Sequence, residues 1–437
     1  MIRFAFAFVM LFAALPAQAE VDIQEITTPA GINAWLVEDH SIPFVALELR
    51  FRGGGSLDAP GKRGAVNLMT GLLEEGAGDM DSRAFARRTE ELAASFSYSA
   101  SHDTISVSAR FLTENRDQAI ALLRESLVNP SFNQPSIDRV RGQIISIIQS
   151  DQKDPRNLAT EAFDALVYGD HPYGSSLNGT LETVSGLTRD DVLAAHKATL
   201  ARDRLFVSAV GDITANDLSA VLDQLLGDLP ATGAPLPGDA DVNLPGGMQV
   251  VEFDTPQSVA TFAQPGIDRD DPDFFAAYLL NHILGGGGFE SRLMNEVREK
   301  RGLTYGVYSY LVDRDGAQVW MGSVASANDR IAEAISVIRD EWVRIRENGV
   351  TEAELQDAKT YLTGAYPLRF DGNGPIANIA VGMQIEGLPT DYIATRNDRV
   401  NAVTLEDVNR VARDLLNPDK LTFIVVGKPE GLDSTIN

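Results

Sequence analysis

The sequence predicts an α+β protein of two homologous domains, each a largely antiparallel sheet packed with helices. Three observations carry this expectation. There is a long internal repeat, a Pro- and Gly-rich stretch between its copies, and a succession of strands and helices that does not strictly alternate.

The repeat is the strongest of the three. LTRDDVLAAHKATLARDRLFVSAVG, Leu187 to Gly211, aligns without a gap on VTLEDVNRVARDLLNPDKLTFIVVG, Val403 to Gly427. Thr188, Asp191, Val192 and Leu200 match Thr404, Asp407, Val408 and Leu416, and Asp203, Leu205 and Gly211 match Asp419, Leu421 and Gly427. In each copy a threonine with an aspartate three residues on forms a variant capping box. An amphipathic helix follows, then a turn and a hydrophobic strand, Leu205 to Val210 or Leu421 to Val426, that ends at glycine. Copies this far apart imply two domains and not a short-period solenoid.

The boundary falls in DLPATGAPLPGDADVNLPGG, Asp228 to Gly247, which has no apolar periodicity and reads as an exposed linker. An N-terminal domain over 20–227 and a C-terminal domain over 248–437 result. Alternation predicts strands at Phe44 to Phe51 and Thr104 to Phe111, and apolar spacing predicts helices at Arg116 to Leu127 and Asp329 to Asn348.

Residues 1–19 read as a secretory signal. Arg3 supplies the positive charge, Phe4 to Leu15 is apolar but short for a bilayer span, and Ala17-Gln18-Ala19 is a small-x-small cleavage site. A bacterial periplasm is the expected address, with a mature chain that does not insert into the membrane. No cysteine occurs, which excludes disulfides, thiolate ligands and a cysteine nucleophile. The net charge of −25 repels nucleic acid and anionic surfaces; it could favour cationic peptides, but its even spread fits a general solubility role better.

Standard catalytic patterns are missing. No two of His40, His102, His171, His196 and His282 have the i, i+3 or i, i+4 spacing of metal ligands on a helix, and neither H-E-x-x-H nor G-x-S-x-G occurs. The four glycines Gly285 to Gly288 lack the Lys-Ser/Thr of a P-loop. They suit a connector or helix cap, and equally a loop that lets a substrate backbone approach.

Two stretches carry a family resemblance. GGGSLDAPGKRGAVNLMTGLLEEGAG, Gly53 to Gly78, resembles the region of M16 (pitrilysin-like) zinc peptidases in which a Lys-Arg-Gly turn opens a helix bearing H-x-x-E-H. The two histidines and the glutamate of that motif match Asn67, Gly71 and Thr70, and the third ligand, a glutamate on a later helix, matches near Ile147. Asparagine is a poor zinc ligand, threonine cannot act as the general base, and glycine and isoleucine offer no donor. LGGGGFESRLMNEVREKRGLTYGVYSYL, Leu284 to Leu311, is similar to the family's C-terminal signature. There Arg298 and Tyr305, at the start of an alternating strand, match an arginine/tyrosine pair used near the scissile bond.

The resemblance implies the M16/LuxS-like metallohydrolase fold and a non-catalytic subunit that acts on peptides with an M16 partner carrying intact H-x-x-E-H. Zinc is then expected in the partner and no cofactor in this chain. Arg298 and Tyr305 would assist catalysis, with Gly285, Gly286, Gly287 and Gly288 in substrate binding. An inert scaffold or peptide-binding protein is the alternative, and a standalone peptidase with an unfamiliar site is a third.

Overall fold

Residues 21–436 are described by a computed structural model, and they form two sheets of matching strand order. The expected leader lies outside the described residues. The N-terminal half contains β1 (Gln24–Thr27), β2 (Asn33–Glu38), β3 (Phe44–Arg52), a short hairpin β4 (Gly76–Ala77) and β5 (Met80–Asp81), β6 (Ser95–Ala100), β7 (Thr104–Leu112) and β8 (Leu205–Gly211). Its helices are α1 (Ala65–Leu72), α2 (Ser82–Glu91), α3 (Arg116–Val128), α4 (Gln134–Asp151), α5 (Pro155–Tyr168), α6 (Leu181–Ser185), α7 (Arg189–Thr199) and α8 (Ala215–Leu226). The C-terminal half contains β9 (Gly247–Glu252), β10 (Gln257–Pro265), β11 (Val307–Arg314), β12 (Ala317–Ala327) and β13 (Thr422–Gly427). Its helices are α9 (Phe274–Asn281), α10 (Ile331–Asn348), α11 (Glu352–Ala365), α12 (Asn373–Ile385), α13 (Tyr392–Ala402) and α14 (Leu405–Leu415).

The first sheet runs β1-β2-β8-β3-β7-β6 and the second β11-β12-β10-β13-β9. Read from opposite ends, β2-β8-β3-β7-β6 corresponds to β9-β13-β10-β12-β11. In each, one pair is parallel (β2 with β8, β9 with β13) and the other pairs are antiparallel. The fold is therefore α+β with two homologous, largely antiparallel domains.

The repeat identified in the sequence closes each half. Thr188 and Thr404 cap α7 and α14, accepting from the backbone N–H of Asp191 and Asp407, whose carboxylates accept in return. Each reciprocal cap satisfies helix-end donors that otherwise stay unpaired. The matched glycines also have a shared reason. Gly211 and Gly427 adopt φ of 132° and 151°. A Cβ at Gly211 would lie 2.2 Å from the Phe44 carbonyl oxygen, and one at Gly427 would lie 2.3 Å from Ser258 Oγ.

Each sheet buries one face against helices of its own half. In the second sheet Phe262, Trp320, Val324 and Phe423 pack with residues of α9, α10 and α14. The opposite face is covered by a helix from the other half. Ala159, Phe163 and Val167 of α5 pack on Val259, Ala263, Val319 and Ile424, while Ala377 of α12 packs on Ala46 and Val210 of the first sheet. This exchange joins the halves into one packed body.

The linker is exposed over much of its length, as its composition suggests, yet it is not free. No helix or strand forms between Gly227 and Gly247, but the chain is strapped down. The Arg202 and Ala234 N–H groups bond to the Pro230 and Ala198 carbonyls. The Ala240 and Asn243 N–H groups bond to the Gly316 and Val167 carbonyls, and Leu229 and Leu244 are buried. Low apolar periodicity here reflects irregular backbone, not freedom from the surface. Among the described residues no helix is long and apolar enough to cross a membrane.

Candidate functional site

Helix α1 carries three of the positions matched to zinc chemistry. Its N-terminus is set by Asp58, whose carboxylate accepts from the Gly64 and Val66 N–H groups, both at 2.8 Å. Burial pushes the Asp58 carboxyl up to about 6, against these hydrogen bonds and Arg63. Asn67 donates from Nδ2 to Asn178 Oδ1 at 2.9 Å, and buried Thr70 donates to the Val66 carbonyl at 2.8 Å. At Gly71 an added Cβ would lie 3.2 Å from Val140 Cγ1, so α4 approaches α1 closely here. Ile147 is on α4 and 47% exposed, whereas Ile144 and Ile148 are buried.

An amide, a backbone-bonded hydroxyl, a hydrogen and a hydrocarbon do not make a donor set for zinc. Among the described residues no group of three His, Cys, Asp or Glu is placed to hold a metal ion. The histidines have separate partners. His102 Nε2 faces the Ser175 carbonyl, His196 Nε2 the Leu127 carbonyl and His171 Nε2 the Gly238 carbonyl, while His40 lies against Asp212 and His282 stacks on Tyr361.

The second constellation is in the C-terminal half. Helix α9 runs into a π-helical turn, His282–Gly286, and a second π-helical segment, Met294–Glu299, bears Arg298. Such segments recur where a helix must present side chains irregularly. The Arg298 guanidinium carbon lies 4.9 Å from the centre of the Tyr305 ring and 4.5 Å from that of Phe289. Tyr305 is 86% exposed and Phe289 62%, and the partly buried guanidinium of Arg298 lies against both rings and beside Glu299. Tyr305 stands in the loop before β11, not within the strand as its alternation suggested. Thr304 takes the turn by bonding to the Gly306 and Ala325 carbonyls, and pairing starts at Val307.

The Gly tract lies beside this pair. A Cβ at Gly285 would fall 2.4 Å from Ser309 Oγ, so the tract packs directly on β11, and Gly288 turns the chain at φ +59° to present Phe289. From Tyr305 a cleft of about 850 Å³ runs between α5 and the outer face of β11 and β12.

Comparison with known proteins gives the family. A family description named Insulinase (Peptidase family M16) matches residues 34–181, and one named Peptidase M16 inactive domain matches residues 186–362. The crystal structure of a peptidase M16 inactive domain from Pseudomonas fluorescens is 30% identical, covers 95% of this chain and 100% of its own, and superposes with a TM-score of 0.87. The chain belongs to the M16 peptidase family, as an inactive-type member. A non-peptidase homolog, YmxG, of Helicobacter pylori is 26% identical over 95% of this chain and 96% of its own length. A protein named uncharacterized zinc protease in Streptomyces coelicolor is 25% identical over 90% of this chain and 87% of its own. A protease structure from Helicobacter pylori shares the fold at a TM-score of 0.84 and 15% identity, covering 93% of this chain.

Within this M16 chain the fold brings together Arg298, Tyr305 and the Gly tract, and places Asn67, Thr70, Gly71 and Ile147 on packed helices of the other half. Sequence reasoning missed Phe289. A lone aromatic after four glycines, outside any helical periodicity, is the trace that could have marked it. It also missed the cleft, because α5 crosses to the other half's sheet and its contacts leave no periodic mark in β11.

Proposed function

We propose that this chain is the non-catalytic, substrate-binding and oxyanion-assisting subunit of a heteromeric zinc-dependent endopeptidase. One observation carries the reading: a half-buried Arg298 is held against an exposed Tyr305 on a chain whose matched zinc positions offer no ligands. Attack of a metal-activated water on a peptide carbonyl develops negative charge on oxygen, and a phenol and a guanidinium in fixed positions are donors suited to it. The attacking water and its metal would belong to a second M16 chain with intact H-x-x-E-H. A periplasmic location is part of this reading, supported by the signal-like residues 1–19, with unfolded peptides as the substrates. The test is reconstitution. Neither chain alone should cleave a quenched fluorescent peptide at an appreciable rate, and the mixture should; full activity of the H-x-x-E-H chain alone would refute the subunit role.

The naming of the Helicobacter pylori relative as a non-peptidase homolog favours a second reading, a peptide-binding protein without turnover. Under it, the aromatic and guanidinium surface retains peptides, and no mixture cleaves them.

A further inference from the structure

We propose that the cleft between α5 and β11 is a subsite for a carboxylate carried by an extended peptide, with Arg314 as its anchor. This rests on the reading of the chain as a peptide-binding subunit. The charges of the lining run against those of the molecule. The chain has a net charge of −25, yet the charged residues lining the cleft are Arg156, Arg314 and Arg330 against the single carboxylate of Asp164. Arg330 is engaged, donating to the Arg301 and Gly302 carbonyls. Arg314 is not. Its guanidinium stacks on Tyr168 and Tyr173, 5.0 and 4.9 Å from the ring centres, and Nη1 is buried with no hydrogen-bond partner among the described residues.

Leaving such a donor unpaired is costly, and a carboxylate is the acceptor that matches a guanidinium fork. Asp164 does not supply it: it is 7% exposed, lines the cleft and accepts no hydrogen bond from the described residues. Its carboxylate is close enough to Arg314 to feel its charge, yet the two form no ion pair. A guest can therefore place an acceptor on Arg314 and turn a backbone N–H toward Asp164.

The shape selects a peptide over a small anion. Tyr308, Tyr310, Val312 and Arg314 alternate along one face of β11, a trough of roughly 20 Å at the rise of a strand. Tyr305 stands at one end and Arg314 at the other. A chain lying along this face from Tyr308 thus brings a residue about six positions on to Arg314.

Fluorescence anisotropy on the full mature chain tests this, with labelled twelve-residue peptides of Ala, Ser and Gln. One carries two Glu and a C-terminal amide, one has Gln and one Lys at those positions, and a fourth is the Gln peptide with a free C-terminal carboxylate. The Glu peptide should bind at least roughly tenfold more tightly than its Gln and Lys counterparts, and added salt should narrow the gap. Equal tightness for the free-carboxylate peptide would assign the subsite to chain termini, and weak binding would assign it to acidic side chains; both support the carboxylate. Arg314→Gln should abolish the preference, with circular dichroism reporting the fold. Arg156→Ala, at an exposed rim position, should reduce it without touching the core. Equal affinity for Glu, Gln and Lys peptides, no binding of any, or an undiminished preference in Arg314→Gln would overturn the subsite. These outcomes are separable from the subunit role. A reconstituted pair that turns over peptides without a carboxylate preference loses only the subsite, and a preference without turnover loses only the catalytic role.

Discussion

The guanidinium of Arg298 and the ring of Tyr305 stand 4.9 Å apart across a loop that is braced at Lys300, Arg301, Gly302 and Thr304. Glu296 holds Lys300 at 2.5 Å and Arg301 at 2.7 Å, Arg330 holds the carbonyls of Arg301 and Gly302, and Thr304 bonds across to Ala325 on β12. Arg292 adds a bidentate pair to Glu354 at 2.6 and 2.8 Å, tying the segment to the start of α11. Burial pushes the Glu354 carboxyl up, but Arg292 and the Thr351 cap outweigh it and hold it down at about 2. Donors fixed this way need little reorganisation when charge develops on a bound carbonyl.

The two halves should unfold together. Phe163 on α5 is buried against the second sheet although its helix belongs to the first half. Phe163→Ala should cost about 3–5 kcal/mol and shift one calorimetric transition downward as a unit. Two separate transitions, with only one moving, would contradict the exchange of helices as the joint.

Asp164 sets a pH-dependent difference in stability. Burial pushes its carboxyl up to about 6, with Arg314 pulling the other way, while the unfolded value stays near 3.8. The folded state therefore holds the proton more tightly, and stability from this group is present below about pH 4 and lost as pH rises through 6. Asp164→Asn removes the buried charge. Its melting temperature should exceed the wild type's at pH 8, with the gap closing by pH 4. A gap that is constant across that range would rule out a desolvated carboxylate.

Much of this was legible beforehand, for physical reasons that are specific. The Thr188/Asp191 and Thr404/Asp407 boxes are local, so two residues three positions apart announce each helix start. Apolar and β-branched runs with partial alternation marked Phe44–Arg52 and Thr104–Leu112 nearly to the residue; β7 buries one face, whereas β3 is buried on both because α12 covers its second face. Which sheet a helix covers is not local. The apolar side of α5 reads the same whether it packs on its own sheet or on its neighbour's. Likewise, the Pro-rich composition of 228–247 announces irregular backbone but says nothing of the hydrogen bonds that strap it down. At the site, Arg298 and Tyr305 were visible by resemblance, whereas Phe289 and Arg314 depend on a loop path and a crossing helix.

Zinc should not accompany this chain. Asn67, Thr70, Gly71 and Ile147 present no ligand set. Elemental analysis of the purified chain after dialysis against a weak chelator should find well below one zinc per molecule. One tightly retained zinc per chain would contradict the account of the α1–α4 region.

The most direct measurement is turnover by Tyr305→Phe in a size-purified complex with an H-x-x-E-H partner. If the phenol donates to the developing oxyanion, kcat should fall by on the order of a hundredfold or more, with assembly and the partner's zinc content unchanged. Arg298→Ala should lower kcat and also raise KM, because its guanidinium can hold the carbonyl before reaction. A Tyr305→Phe complex that assembles normally and turns over at the wild-type kcat would remove Tyr305 from the chemistry and leave the chain a binding subunit only.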